Sequence, residues 1–98
     1  MAQTRDELRE TVIQALQAVR RNVEGIEITN TTKPTGQLGF ESIEGLDLCL
    51  ELEERLKCRI DEKLNPLVDD DRQCARTVGE IVEWLEIHAQ LLEEVANE

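Results

Sequence analysis

Two short stretches write helix starts directly into the chain. Thr4-Arg5-Asp6-Glu7 and Thr77-Val78-Gly79-Glu80 both follow the Thr-x-x-Glu pattern of a capping box. In that motif the threonine hydroxyl accepts from the N–H of the third helical residue, and the glutamate there reaches back to the threonine N–H. Behind the first box, Leu8, Val12, Ala15, Leu16 and Val19 recur at helical spacing. Arg20 and Arg21 favour the negative end of the helix dipole, so a first helix is predicted over 4–21. Behind the second box, Ile81, Leu85, His88 and Leu92 share one face, which Val82 and Trp84 widen. A last helix is predicted over 77 to about 92. No strand pair or internal repeat is legible between the two. At 98 residues, the chain is expected to be one all-α domain over 1–98 that buries helix against helix.

Composition limits what such a bundle can do. The hydrophobic fraction of 40% is enough for one core, but aromatics are only 2%, Trp84 and Phe40, so aliphatic packing must supply most of it. The net charge is −11, which argues against nucleic acid, because phosphate binding needs a cationic surface. It suits partners that present basic patches. Cys49, Cys58 and Cys74 are odd in number and form no Cys-x-x-Cys pair, so buried or idle thiols are expected. With His88 the only histidine, a Cys/His zinc site is not expected. No apolar signal segment follows Met1 and no run is long enough to cross a membrane. A soluble, monomeric, cytoplasmic protein is the expectation.

Residues 22–40 lack sustained periodicity and hold Gly25, Pro34, Gly36 and Gly39 beside a Thr/Asn run at 29–32. A long first loop is expected there, with Ile26 and Ile28 packing inward locally. In 61–76, Asn65-Pro66 reads as the cap and first residue of a short third helix through Leu67 and Val68. Asp69, Asp70 and Asp71 blur its end.

The second helix, predicted over 42–57, lies in "LGFESIEGLDLCLELEERL", residues 38–56. Its apolar residues are too many for one face. On a wheel at roughly 100° per residue, Gly45, Leu48, Cys49, Leu52 and Leu56 form one stripe, the core face. Ile43, Leu46 and Leu50 form a second, narrower stripe next to Ser42. Glu44, Asp47, Glu51 and Glu54 border it on one side and Glu53 on the other. Such a strip either remains near the surface as a docking site or is covered by another helix. Ser42 has three readings. It is an N-cap, or a nucleophile, or the bearer of a phosphate-linked group facing the positive end of the helix dipole. The second fails, because Gly39-Phe40-Glu41-Ser42 lacks the nucleophile-elbow spacing and a triad would need the lone His88.

The stretch 38–56 resembles the acyl carrier protein family: Leu-Gly, an acid, a modified serine, an apolar residue, then an acid-rich helix. "TVGEIVEWLE", residues 77–86, is similar to the start of that family's last helix, and 1–37 matches only in its helix-then-loop order. The resemblance implies a small four-helix bundle of acyl-carrier type, with a long first loop and a short third helix. It implies 4′-phosphopantetheine on Ser42, transferred from coenzyme A by a phosphopantetheinyl transferase, with the arm's thiol holding an acyl group as a thioester. Partner enzymes of fatty acid, lipid or polyketide synthesis would dock on Glu41, Ile43, Glu44, Leu46, Asp47, Leu50, Glu53 and Glu54. Gly45 would leave room for the arm or acyl chain, in a pocket with Cys49 and Leu52. The chain itself would be a carrier and not a catalyst.

The stretch 61–76 is longer than the family norm, and three residues depart from the family pattern. Glu41 stands where aspartate is usual, Ile43 where leucine is usual, and Asp61 where proline is common. Rival readings are an aminoacyl or peptidyl carrier, an unmodified interaction module, and a calcium-binding protein. The last would use Asp69, Asp71 and Glu80 at positions one, three and twelve of an EF-hand-like loop, but Cys74 stands where that loop needs glycine.

Overall fold

The structure is a computed structural model, and it describes residues 4–61, 63–69 and 74–91. The elements run α1 Arg5–Val19, a 3-10 turn Arg21–Val23, α2 Pro34–Gln37, α3 Glu44–Leu56, β1 Cys58–Arg59, β2 Val68–Asp69, β3 Cys74–Ala75, α4 Val78–His88 and β4 Gln90–Leu91. It is a mostly helical bundle, as the periodicity requires.

Both capping boxes form. Thr4 and Glu7 cap α1 reciprocally, and Thr77 and Glu80 do the same for α4. The start of α4 is further closed by the long loop. Val78 N–H donates to Thr32 O and Gly79 N–H to Asn30 O, both at 2.9 Å. With Glu80 N–H on Thr77 Oγ1 at 3.1 Å, all three leading donors of the helix are satisfied. The Thr/Asn run therefore serves as a cap for a distant helix, and its Thr32 is buried. The same loop holds the short α2, which the periodicity did not reveal. Ile28 packs at the edge of the core, whereas Ile26 stays exposed.

The core lies between α1, α3 and α4. Leu8, Val12, Ala15 and Leu16 of α1 meet Leu48 and Leu52 of α3 and Val78, Ile81 and Leu85 of α4, and Phe40 closes one end. The expected core stripe of α3 is buried at Gly45, Leu48, Cys49 and Leu52 and half-buried at Leu56.

Besides Ile26, three expectations are corrected. The helix expected through Leu67 and Val68 is absent. Asn65 Oδ1 instead accepts from Leu67 N–H at 2.9 Å, an Asx turn that Pro66 fits as well as it fits a helix start. The chain then enters the antiparallel pair β2–β3, with Val68 opposite Ala75 and Asp69 opposite Cys74. Strand pairing is therefore present in a chain that showed no strand pattern, because two-residue strands are too short to carry a period. The second pair, β1–β4, sets Cys58 against Leu91 and Arg59 against Gln90. It follows a left-handed C-cap at Lys57 (φ 54°), where glycine is the usual residue. Finally, α4 ends at His88 and Leu92 lies outside the described residues. No helix among the described residues is long and apolar enough to cross a membrane.

Candidate functional site

Ser42 sits in the turn before α3, and its side chain is exposed. The helix starts two residues later than expected, with Ile43 as its N-cap and no side-chain capping bond. Ser42 is therefore not an N-cap, and its hydroxyl makes no hydrogen bond among the described residues. The leading N–H groups of α3 close back on the turn itself. Glu44 N–H donates to Glu41 O at 2.9 Å, Gly45 N–H to Ser42 O at 3.0 Å and Leu46 N–H to Ile43 O at 3.4 Å. A group on Ser42 would meet the helix dipole but not a set of empty donors.

Two side chains hold the front of this turn. Arg20, at the end of α1, places Nε 3.0 and 2.9 Å from the two carboxylate oxygens of Glu44, with its guanidinium 5.7 Å from the Phe40 ring centre. Glu44 Oε1 also accepts from Glu41 N–H at 2.8 Å. That backbone bond is the main reason the Glu44 carboxyl is held below its ordinary pKa; burial pushes the other way, and the hydrogen bond and charge of Arg20 add to the lowering. A carboxylate with a depressed folded pKa contributes stability above its unfolded pKa and loses it as pH falls. Between about pH 5 and pH 3, Glu44→Gln should therefore lose stability less steeply than wild type, read as urea midpoints at each pH. Parallel curves would mean that Glu44 is not coupled to folding.

From this turn an apolar strip runs along the outside of α3. Ile43 is 80% exposed, Leu46 53% and Leu50 57%. Glu41, Asp47 and Glu54 are exposed beside it, while the other two acids of the expected docking set turn inward. Glu44 is held by Arg20, and Glu53 accepts from Ile60 N–H at 2.7 Å. Glu51 pairs with Arg55 at 3.0 Å.

Leu46 and Leu50 also form one wall of an open cleft of about 740 Å³. Cys49, Ile60, Leu64, Ile87 and His88 line the rest together with three charged residues, Glu53, Arg59 and Asp61. Of the three residues expected to form a pocket, Cys49 alone reaches this cleft. Leu52 is fully buried in the core. The space expected beside Gly45 is filled by the Asn65 side chain. The far wall was missed because Ile60, Leu64 and Ile87 lie outside the acidic helix; the four-residue spacing of Ile60 and Leu64 was the available signal. Burial pushes the thiols of Cys49 and Cys58 up to about 11, so both stay protonated at neutral pH.

Among the described residues, no cluster of three metal-ligating side chains occurs. Asp69 lies in β2, Glu80 belongs to the α4 capping box, and Asp71 lies outside the described residues.

The chain is similar to an acyl carrier protein of Azobacteroides pseudotrichonymphae genomovar. CFP2. The two are 29% identical over 68 residues, which cover 69% of this chain and 73% of that protein. No protein-family model matches the chain, and no solved structure matches it significantly.

Proposed function

We propose that this chain is an acyl carrier protein, with Ser42 as the attachment point of 4′-phosphopantetheine. The observation that carries the reading is the surroundings of Ser42. An exposed hydroxyl with no hydrogen bond among the described residues stands in a clamped turn at the start of an acidic helix, and an exposed apolar strip begins beside it. The similarity to a curated acyl carrier protein over 68 residues supports it independently. The residues fit the group: Ser42 Oγ is open to a transferase, and the positive end of α3 favours a phosphodiester. When attached, the arm supplies a thiol that holds acyl groups as thioesters.

The chain's own residues position and present. The Ser42 turn fixes the tether, and the strip of Leu46 and Leu50 with Asp47 and Glu54 meets basic enzyme surfaces. The cleft bounded by Leu46, Leu50, Leu64 and Ile87 offers apolar surface to a short acyl chain. A tethered thioester is then delivered at high effective concentration without tight docking. Enzymes of fatty acid, lipid or polyketide synthesis are the partner class, in the cytoplasm.

Incubation with coenzyme A and a broad-specificity phosphopantetheinyl transferase should add one phosphopantetheine to the intact mass. Ser42→Ala should abolish the addition. Because the hydroxyl caps nothing, this substitution should change stability by no more than about 0.5 kcal/mol. Addition that persists in Ser42→Ala would refute the assignment.

A further inference from the structure

Gly45 and Asn65 interlock. A Cβ on Gly45 would lie 2.7 Å from Asn65 Cγ, nearer than real Cβ atoms come. Glycine is a poor helix former, yet no larger residue at 45 leaves Asn65 its place. The amide has a specific task there. Its Oδ1 accepts from Leu67 N–H at 2.9 Å, which fixes which end is oxygen. Its Nδ2 then donates to Ser42 O at 2.9 Å. Behind it, Arg76 Nη1 donates to Asn65 O at 2.6 Å and to Val68 O at 2.8 Å, with its guanidinium 5.6 Å from the Trp84 ring centre. Arg20 and Glu44 hold the turn ahead of Ser42 through Glu41 N–H, and Asn65 holds it behind.

We propose that Asn65 is a positioning residue for Ser42: its amide fixes the Ser42 carbonyl, and with it the direction in which the hydroxyl is presented, and residue 45 is glycine in order to admit it. The proposal rests on the carrier reading of Ser42.

The test separates the two bonds of the amide. Asn65→Asp keeps the oxygen that serves Leu67 and loses the donor to Ser42. Asn65→Ala loses both, and Gly45→Ala displaces the amide. Each variant should be loaded at least about tenfold more slowly than wild type, with the loss in kcat and not in KM, because the outer face of α3 is untouched. The Ser42 and Ile43 amide resonances should shift in all three, while those of Leu16 and Leu48 hold. In urea, Gly45→Ala should lower the midpoint of the wild-type chain and raise that of Asn65→Ala, where the new methyl has room. Loading of Asn65→Asp at the wild-type rate overturns the proposal, as does an equal Gly45→Ala effect in both backgrounds. A wild-type chain that accepts no phosphopantetheine overturns the carrier reading instead; the urea cycle and the Ser42 resonances still decide whether Asn65 fixes the turn.

Discussion

Trp84→Ala should cost about 3–5 kcal/mol of folding stability, the range for emptying a large aromatic site in a packed core. Trp84 is only 5% exposed. One neighbour is His88, with ring centres 5.2 Å apart, and another is the Arg76 guanidinium, 5.6 Å from the indole centre. Removing the ring therefore leaves a cavity beside α4 and also frees the arginine that ties Asn65 to Val68. Trp84→Phe should recover most of the loss, because a ring remains for Arg76 and most of the volume is kept. Trp84 is the single tryptophan, so the measurement is urea denaturation followed by circular dichroism at helical wavelengths. A change near zero would mean that the indole packs on nothing and would move it to a surface role.

What the sequence disclosed and what it hid divide along a physical line. The starts of α1 and α4 were legible because a capping box is local, four residues that satisfy one another. The two stripes of α3 were legible because a helical period over many residues tells one face from the other, and the structure buries Leu48 and Leu52 while exposing Leu46 and Leu50. Features that depend on distant partners were not legible. Asn65-Pro66 serves a helix cap and an Asx turn equally well, and only the packing of Asn65 against Gly45 decides between them. Glu44 and Asp47 look equivalent in sequence, both acids on an exposed sector. Arg20, on another helix, removes one of them from the surface. By sequence Gly45 offers empty space beside Ser42, whereas in the fold its missing side chain makes room for Asn65.

That sorting of the acids sets the sharpest test of the outer face of α3. Residues 41–71 hold eleven acids against four bases, −7 of the chain's net −11, but the carboxylates differ in availability. Asp47 and Glu54 are exposed and form no ion pair among the described residues, while Glu53 serves Ile60 N–H. Exposed charges act on association rate, and salt screens them over a Debye length of about 8–10 Å. The double reversal Asp47→Lys/Glu54→Lys should therefore slow transferase loading by about 10–100-fold at low salt, within the span of electrostatic steering. The gap to wild type should narrow as salt is added. Glu53→Ala should do less to loading and more to stability, since it removes the acceptor of Ile60 N–H. Leu46→Ala should impair loading about tenfold at every salt concentration, because desolvated apolar contact is not screened. Leu46 is 53% exposed, so its truncation should leave the urea midpoint almost unchanged. Loading of the double reversal at the wild-type rate in low salt would remove this face as the docking site. A large fall in the Leu46→Ala midpoint would instead make the second stripe part of the core, and the cleft beside it a packing defect with no role in acyl binding.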